Sequence, residues 1–378
     1  MPLRVVFVIP ARDAAQGEAP QAERLLRAWQ ADTDVEVSAV HGSGMLAASW
    51  PLSLKSFSCA DVIHVFPASS SSFFAQTLPA LAIARMLGRP AIVNHAVDHS
   101  PDYFARSAMV RRALGAGVMS VVPSAVMADA LDRFGIRATM IPDAVEPETF
   151  PFRERHPLRP RLLSVRNFEA RDNVAATIRA FAIVQQRWPA ATLTLVGRGS
   201  QDAKLRALAA DLGLRNVAFV GQSAQVDLSA VYADHDIFVQ SANVDNGPTS
   251  MLRAFASGLP VVSTSAGAVP AILTHGAHGL LAPLADFETL GHHVLRLLAS
   301  PDYARGLARA AHATCDAWTW PRVREQWLRT YAGALVPAAR TPRSALTRFI
   351  LGSVRFAGTD LQIGAERTDR PAAQRRAS

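Results

Sequence analysis

Short apolar runs alternate with amphipathic stretches through most of the chain. In the first 150 residues, apolar runs at 4–9, 35–40, 62–66, 91–94, 118–122 and 138–141 predict strands. Between them, apolar positions at helical spacing predict helices over 22–31, 73–87 and 124–134. Ser124 follows Pro123 and precedes its periodic run, which marks it as an N-cap. Strands that are apolar throughout, alternating with helices, predict a parallel sheet covered on both faces.

The alternation stops at 143–160. There Pro147, Pro151, Pro157 and Pro160 punctuate the charged run Phe152-Arg153-Glu154-Arg155-His156, and 151–160 reads as an interdomain linker. A second series follows, with strands predicted at 161–165, 192–197, 217–221, 237–240, 260–264 and 279–282. Its helices are predicted at 174–187, 202–212, 226–233, 249–257 and 287–298, with closing helices at about 302–315 and 321–335. The expected division is a first doubly wound domain over 1–150, a second over 161–320, a closing helix over 321–336 and a tail over 337–378.

Composition agrees with that plan: 378 residues, 49% of them hydrophobic, can fill two cores. No uncharged apolar run reaches 18 residues, so no transmembrane helix is expected. The short β-branched run at the start reads as a buried strand rather than a signal peptide, which gives a cytoplasmic expectation. Cys59 and Cys315 fall in different predicted domains, which argues against a disulfide or zinc site and for two separate half-buried thiols. Of the net charge of +8, five charges belong to residues 337–378, where eight arginines face Asp360, Glu366 and Asp369. The body is nearly balanced and lacks a basic stripe interleaved with aromatics, so nucleic acid is not an expected partner. In the tail, Arg348 and Arg355 alternate with apolar residues at loose helical spacing, while Gly352 and Gly358 weaken any helix. Two readings stay open there: a disordered tail, or a basic segment lying on an anionic membrane surface.

The candidate chemistry begins where the strand predicted to end at Gln240 gives way to a polar loop. Pro248 is expected at the first position of the next helix and Gly258 as its C-cap. In a doubly wound sheet, ligands bind at the carboxyl ends of strands, and a helix N-terminus favours an anion such as a diphosphate. Asn246, Gly247, Pro248, Thr249 and Ser250 are therefore candidate ligands, with plain helix capping as the alternative. Gly197-Arg198-Gly199 also joins a strand to a helix. Asp202 stands where a dinucleotide fingerprint needs its third glycine, and Ala11-Arg12-Asp13 follows the first strand, so a nicotinamide-dependent dehydrogenase is rejected. In the stretch Asn94-His95-Ala96-Val97-Asp98-His99, Asp98 and His99 form a candidate acid–base pair facing the expected cleft, with His95 beside them. The spacing of His95 and His99 serves a metal only on a helix, and a third ligand is missing, so no metal site is expected.

The run from Asp245 to Val262 resembles the signature of retaining GT-B glycosyltransferases of family 4. That signature is an acidic residue, seven others, a Glu, then Ala, an apolar residue, Ala, a variable residue, Gly, an apolar residue, Pro and Val-Val. Asp245 falls at the first acidic position, and Ala254 to Val262 fits throughout. Pro123-Ser124, Ile141-Pro142-Asp143-Ala144-Val145, Leu195-Val196-Gly197-Arg198-Gly199, Phe219-Val220-Gly221 and Trp318-Thr319-Trp320 extend the resemblance over about 1–335. It implies an α/β protein of GT-B architecture, with two doubly wound Rossmann-like domains facing across a cleft. It also implies a nucleotide-sugar as co-substrate in the second domain, no other cofactor and no required metal. The activity implied is sugar transfer with retention to a glycan or lipid-linked acceptor, in polysaccharide or glycoconjugate biosynthesis, with possible peripheral contact at the inner membrane face. Asp245 would touch the donor sugar, and Gly197, Gly199 and Gly221 would let backbone approach the nucleotide.

The departures are specific. Asn167 stands where the family commonly has an Arg for the diphosphate, and Asp172 where it has a Lys. Arg166 and Arg171, each one step away, are the candidate substitutes, with plain surface arginines as the alternative. Arg253 occupies the second acidic position, whose Glu accepts from ribose hydroxyls; an Arg only donates, and would pair with a phosphate instead. Ala271 replaces a further Glu. These losses keep a second expectation open: a catalytically weakened relative that acts as a glycan- or partner-binding module.

Overall fold

Buried β-branched strands organise both halves of the chain. The computed structural model describes residues 1–9, 21–41, 50–67, 76–95, 107–115, 117–221 and 226–336. In the first half lie β1 (Leu3–Ile9), β2 (Val35–His41), β3 (Val62–Val65), β4 (Ala91–Asn94), β5 (Val118–Val122) and β6 (Ala138–Met140). They form one parallel sheet in the order β2-β1-β3-β4-β5-β6. Its helices are α1 (Gln21–Gln30), α2 (Trp50–Cys59), α3 (Leu78–Met86), α4 (Ala108–Leu114) and α5 (Ala125–Asp132). Phe57, Leu81, Val110 and Leu131, from α2 to α5, pack on Val6, Val8, Ile63 and Val93 on one face. On the other face Leu25 and Trp29 of α1 pack on Val5 and Phe7. Ser124 caps α5 as expected, its hydroxyl accepting from Met127 N.

The second half repeats the plan. β7 (Arg161–Val165), β8 (Thr192–Val196), β9 (Val217–Val220), β10 (Ile237–Gln240), β11 (Val261–Thr264) and β12 (Leu280–Ala282) pair in parallel in the order β12-β11-β10-β7-β8-β9. The helices are α6 (Val174–Arg187), α7 (Asp202–Asp211), α8 (Leu228–Asp234), α9 (Thr249–Ala256), α10 (Val269–Ile272), α11 (Phe287–Ala299), α12 (Pro301–Ala313) and α13 (Trp320–Leu335). Strand order reverses between β7 and β10, so the loops leaving those two strands diverge to opposite sides and open a crevice.

The last helix crosses back. Val323, Trp327 and Tyr331 of α13 join the cluster formed by Val5, Phe7 and Trp29 of the first sheet. His64 of β3 is fully buried there, and its Nδ1 meets the Tyr331 hydroxyl at 3.1 Å. Burial lowers the His64 pKa to about 3, so the ring stays neutral, and burial also pushes the Tyr331 hydroxyl well above its ordinary value. Arg324 of α13 pairs with both Asp32 and Asp34, and Trp318 O accepts from Val145 N at 2.8 Å.

Several local expectations change. α2 and α4 were not expected; α4 spans two turns, too short for periodicity to register. The stretch 151–160, expected as a linker, is fastened to the second half through Arg155. The Arg155 guanidinium is buried and donates to Tyr232 O at 2.9 Å and His235 O at 3.2 Å, as well as to Arg153 O and Ser257 O. It thus serves the carboxyl ends of α8 and α9, and burial lowers its pKa to about 10. The two thiols differ rather than sharing half-burial: Cys59 is exposed, whereas Cys315 is buried and pushed up to about 12.

Candidate functional site

The crevice between β7 and β10 gathers most of the sequence-predicted ligands. The two loops that leave these strands are stitched together: Asn243 N donates to Arg171 O at 2.9 Å, and the Ser241 hydroxyl donates to Asn173 O at 2.7 Å. Asn173 adopts a left-handed conformation at φ 45°, which turns the chain into α6. Gln240, the polar end of an otherwise apolar strand, reaches down with its amide to Asp245 Oδ2 at 3.2 Å and Ser263 Oγ at 3.0 Å.

At the centre is an ion cluster. Arg166 Nη1 donates to Asp245 Oδ2 at 3.0 Å, and its Nε lies 3.2 Å from Asp172 Oδ1. Asp245 is 1% exposed and the Arg166 side chain 11%. Arg171 Nε approaches Asp172 Oδ2 at 3.8 Å from a more exposed position. Arg166, expected at the diphosphate, lies at this crevice with its guanidinium paired to two buried carboxylates. Asp245 is likewise held as the partner of Arg166 and Gln240. The cluster's two arginines balance its two aspartates, so it adds no surplus positive charge to the crevice.

The glycines have internal reasons. A Cβ on Gly197 would lie 1.9 Å from Arg166 O, and one on Gly199 would lie 2.4 Å from Phe168 O. These residues let the β8 loop press against the β7 loop, so chain-to-chain packing accounts for them. Gly267 does the same for the next loop: at φ +50 its Cβ would meet Asp245 O at 2.3 Å, and Ala268 N donates to that oxygen at 2.7 Å. Gly221 is different, lying exposed at the end of β9, the edge strand, with open space around a Cβ.

The start of α9 points into this crevice. Pro248 holds the cap position rather than the first helical one, with φ −77 and ψ 59, and Thr249 is the first helical residue. At the other end Ser257 is the cap, and Gly258, with φ +74, is the left-handed residue beyond it. Gly247 O accepts from Thr249 N at 2.8 Å, Asn246 is buried beside it, and Ser250 O accepts from the Tyr232 hydroxyl at 2.9 Å. Thr249 Oγ1 donates to Asp143 Oδ2 at 2.9 Å, a carboxylate that belongs to the first half of the chain. The same oxygen receives Arg24 Nη2 at 3.1 Å, and Gln21 donates to Asp143 Oδ1. Arg24 carried no signal in the sequence beyond being a polar position on a helix, and Gln21 fell one residue before the helix expected over 22–31; Asp143 was visible only as part of a family-like motif.

Arg253 does not join the residues at the helix start. It is buried in the last turn of α9, with its guanidinium carbon 5.1 Å from the centre of the Phe150 ring. Ala271 is exposed on α10 and brings only a methyl group. His95 was expected in a loop lining the cleft. It is instead fully buried at the end of β4, its Nε2 3.1 Å from Ser120 Oγ. Asp98 and His99 lie outside the described residues. An open recess of about 720 Å³ along Asp316, Trp318, Arg322 and Arg329 shares no residue with the crevice.

Comparison with known proteins places this geometry. Residues 159–300 match the family model of the glycosyl transferases group 1. The chain is 30% identical over 162 residues to the amylovoran biosynthesis glycosyltransferase AmsK of Erwinia amylovora, a match covering 40% of each chain and so less than half of that relative. It is 26% identical over 262 residues to the GDP-mannose-dependent alpha-(1-6)-phosphatidylinositol monomannoside mannosyltransferase of Mycobacterium tuberculosis, covering 63% of this chain and 68% of the relative. Anabaena HepE, solved in complex with UDP and glucose, superposes with a TM-score of 0.72 at 15% identity over 88% of this chain and 100% of that one. The two facing sheets thus have the GT-B architecture, and residues 159–300 of the chain resemble a glycosyl transferases group 1 domain.

Proposed function

We propose that this chain is a glycosyltransferase that takes a sugar from a UDP- or GDP-linked donor and passes it to a glycan or lipid-linked acceptor. The observation that carries the reading is the start of α9, set in the crevice between β7 and β10 within the segment that matches the transferase family. Sugar departure builds negative charge on a nucleoside diphosphate, and a helix N-terminus with adjacent hydroxyls stabilises such charge. Thr249 and Ser250 would serve the diphosphate, with Arg171 at the rim. Asp245 would face the sugar only through the oxygen not committed to Arg166 and Gln240. Asp98 and His99 keep the acid–base role given by their types and position.

The choice between uridine and guanosine donors draws on relatives and neighbours: a mannosyltransferase named as GDP-mannose-dependent, and HepE solved with UDP-glucose. Retention of configuration draws on the signature around Asp245 to Val262. The relatives named as transferases favour turnover over a non-catalytic binding module. No resident cofactor or metal enters the reading, and the nucleotide-sugar is the co-substrate. A biosynthetic role at a membrane face fits the arginine-rich segment 337–378, and deleting residues 340–378 should lower partition onto anionic vesicles. The test of activity is release of UDP or GDP from labelled donor. Release that rises several-fold with a lipid-linked or oligosaccharide acceptor supports transfer, and release from no donor tested would remove the proposal.

A further inference from the structure

The ion cluster leaves a question of charge. A leaving diphosphate at the start of α9 needs a cation, and Arg166 is committed to Asp172 and Asp245. Another guanidinium does reach the helix start, and it comes from the opposite half of the molecule. Arg24 Nη2 and Thr249 Oγ1 lie 3.1 and 2.9 Å from one and the same atom, Asp143 Oδ2. Gln21 donates to the other oxygen. The Asp143 side chain is 9% exposed and that of Arg24 is 20%.

The partners of Asp143 are those that an anion would choose: a guanidinium, a hydroxyl at the positive end of a helix and a side-chain amide. They come from two separate parts of the chain, α1 and the start of α9, and meet at Asp143 in the segment after β6. A carboxylate is thus held where oxyanion donors from both halves converge. A phosphate offers accepting oxygens to the same kinds of donor with more charge, and could take those donors over.

We propose that Asp143 is a resident stand-in for the donor's phosphate, and that Arg24 is the cation that holds the diphosphate once a nucleotide arrives. The inference rests on the glycosyltransferase reading above and adds to Arg171 at the rim a second cation from the opposite half of the molecule. Nucleotide entry displaces the Asp143 carboxylate from Thr249 and Arg24, and these two donors pass to the diphosphate. Because Arg24 stands on the first half and Thr249 on the second, the diphosphate then joins the two halves through the contacts that Asp143 makes without it.

The two residues therefore pull in opposite directions on the ligand, which gives a test that a structural clasp would fail. The full chain is titrated calorimetrically with UDP and GDP, and with uridine and guanosine as partners without the diphosphate. Arg24→Gln should weaken binding of the preferred diphosphate at least about tenfold and leave its nucleoside unchanged, and Arg24→Lys should restore part of the loss. Asp143→Asn should tighten the diphosphate several-fold, because the competing charge is gone, again with the nucleoside unchanged. Melting curves of each variant establish that it is folded, and Asp143→Ala, which removes the competing carboxylate outright, should tighten the diphosphate in the same direction as Asp143→Asn. Wild-type binding with diphosphate affinity unchanged in Arg24→Gln, or weakened in Asp143→Asn, overturns this inference and leaves the transferase reading standing. Failure of the folded wild-type chain to bind any nucleoside diphosphate overturns both.

Discussion

Arg166 and Asp245 are joined by a hydrogen bond of 3.0 Å at the carboxyl ends of β7 and β10, in the crevice where the strand order reverses. Both residues had been expected to meet the ligand, one at the diphosphate and the other at the sugar. They also meet each other, with Asp172 completing the cluster. Removing the cation strands two carboxylates with little access to water. Arg166→Met should therefore lower folding stability by about 3–5 kcal/mol, read by denaturant titration. Arg171, the more exposed arginine of the cluster, should lower stability by no more than about 1 kcal/mol when replaced by Ala. Equal effects of the two substitutions would mean that the cluster is not the support described.

Backbone contact between the β7 and β8 loops makes a second prediction. Gly197→Ala places a methyl group against Arg166 O with no flexible neighbour to move, so the variant should lose several kcal/mol or fail to accumulate. Gly221→Ala meets nothing within 4 Å and should melt within a few degrees of wild type. Thermal melts of the pair separate internal packing from a glycine kept for ligand approach.

His64 supplies a pH dependence. Its folded pKa of about 3 lies below the ordinary value of 6.5, so the unfolded chain binds a proton between those limits and the folded chain does not. The neutral ring's contribution is complete above about pH 6.5 and is lost as pH falls toward about 3. Between pH 7.5 and pH 5, wild type should lose about 2 kcal/mol more stability than His64→Phe. The aromatic substitution keeps the packing with Phe66 and Trp327. Parallel stability curves for the two proteins would contradict the assignment.

Much of the fold was legible because its strands are buried on both faces and read as uninterrupted apolar runs: 91–94, 118–122, 161–165 and 237–240 were placed to the residue. The helix after Gln240 was placed within one residue, since Pro248 and Gly258 bracket it. α2 was hidden by the weak periodicity of Trp50-Pro51-Leu52-Ser53-Leu54-Lys55-Ser56-Phe57-Ser58-Cys59. Arg166 could be placed at a strand end, but not its partner Asp245, 79 positions away. His95 misled because a histidine after a strand reads as loop, whereas the burial that puts it against Ser120 is set by the neighbouring strand β5. The link from Arg24 to Asp143 spans 119 positions and joins side chains from separate elements, which no local pattern encodes.

Metal dependence offers a further check on the proposed chemistry. If helix start, hydroxyls and guanidinium stabilise the leaving diphosphate unaided, excess EDTA should leave donor turnover within about twofold of the untreated rate. A loss of tenfold or more, restored by a divalent cation, would show that the diphosphate relies on a metal.

The most direct trial of the central claim is a crystal structure of the chain with UDP or GDP bound. The account predicts the diphosphate against the first turn of α9, within hydrogen-bonding distance of Thr249 or Ser250 and between the ends of β7 and β10. A nucleotide bound with its diphosphate elsewhere would contradict it.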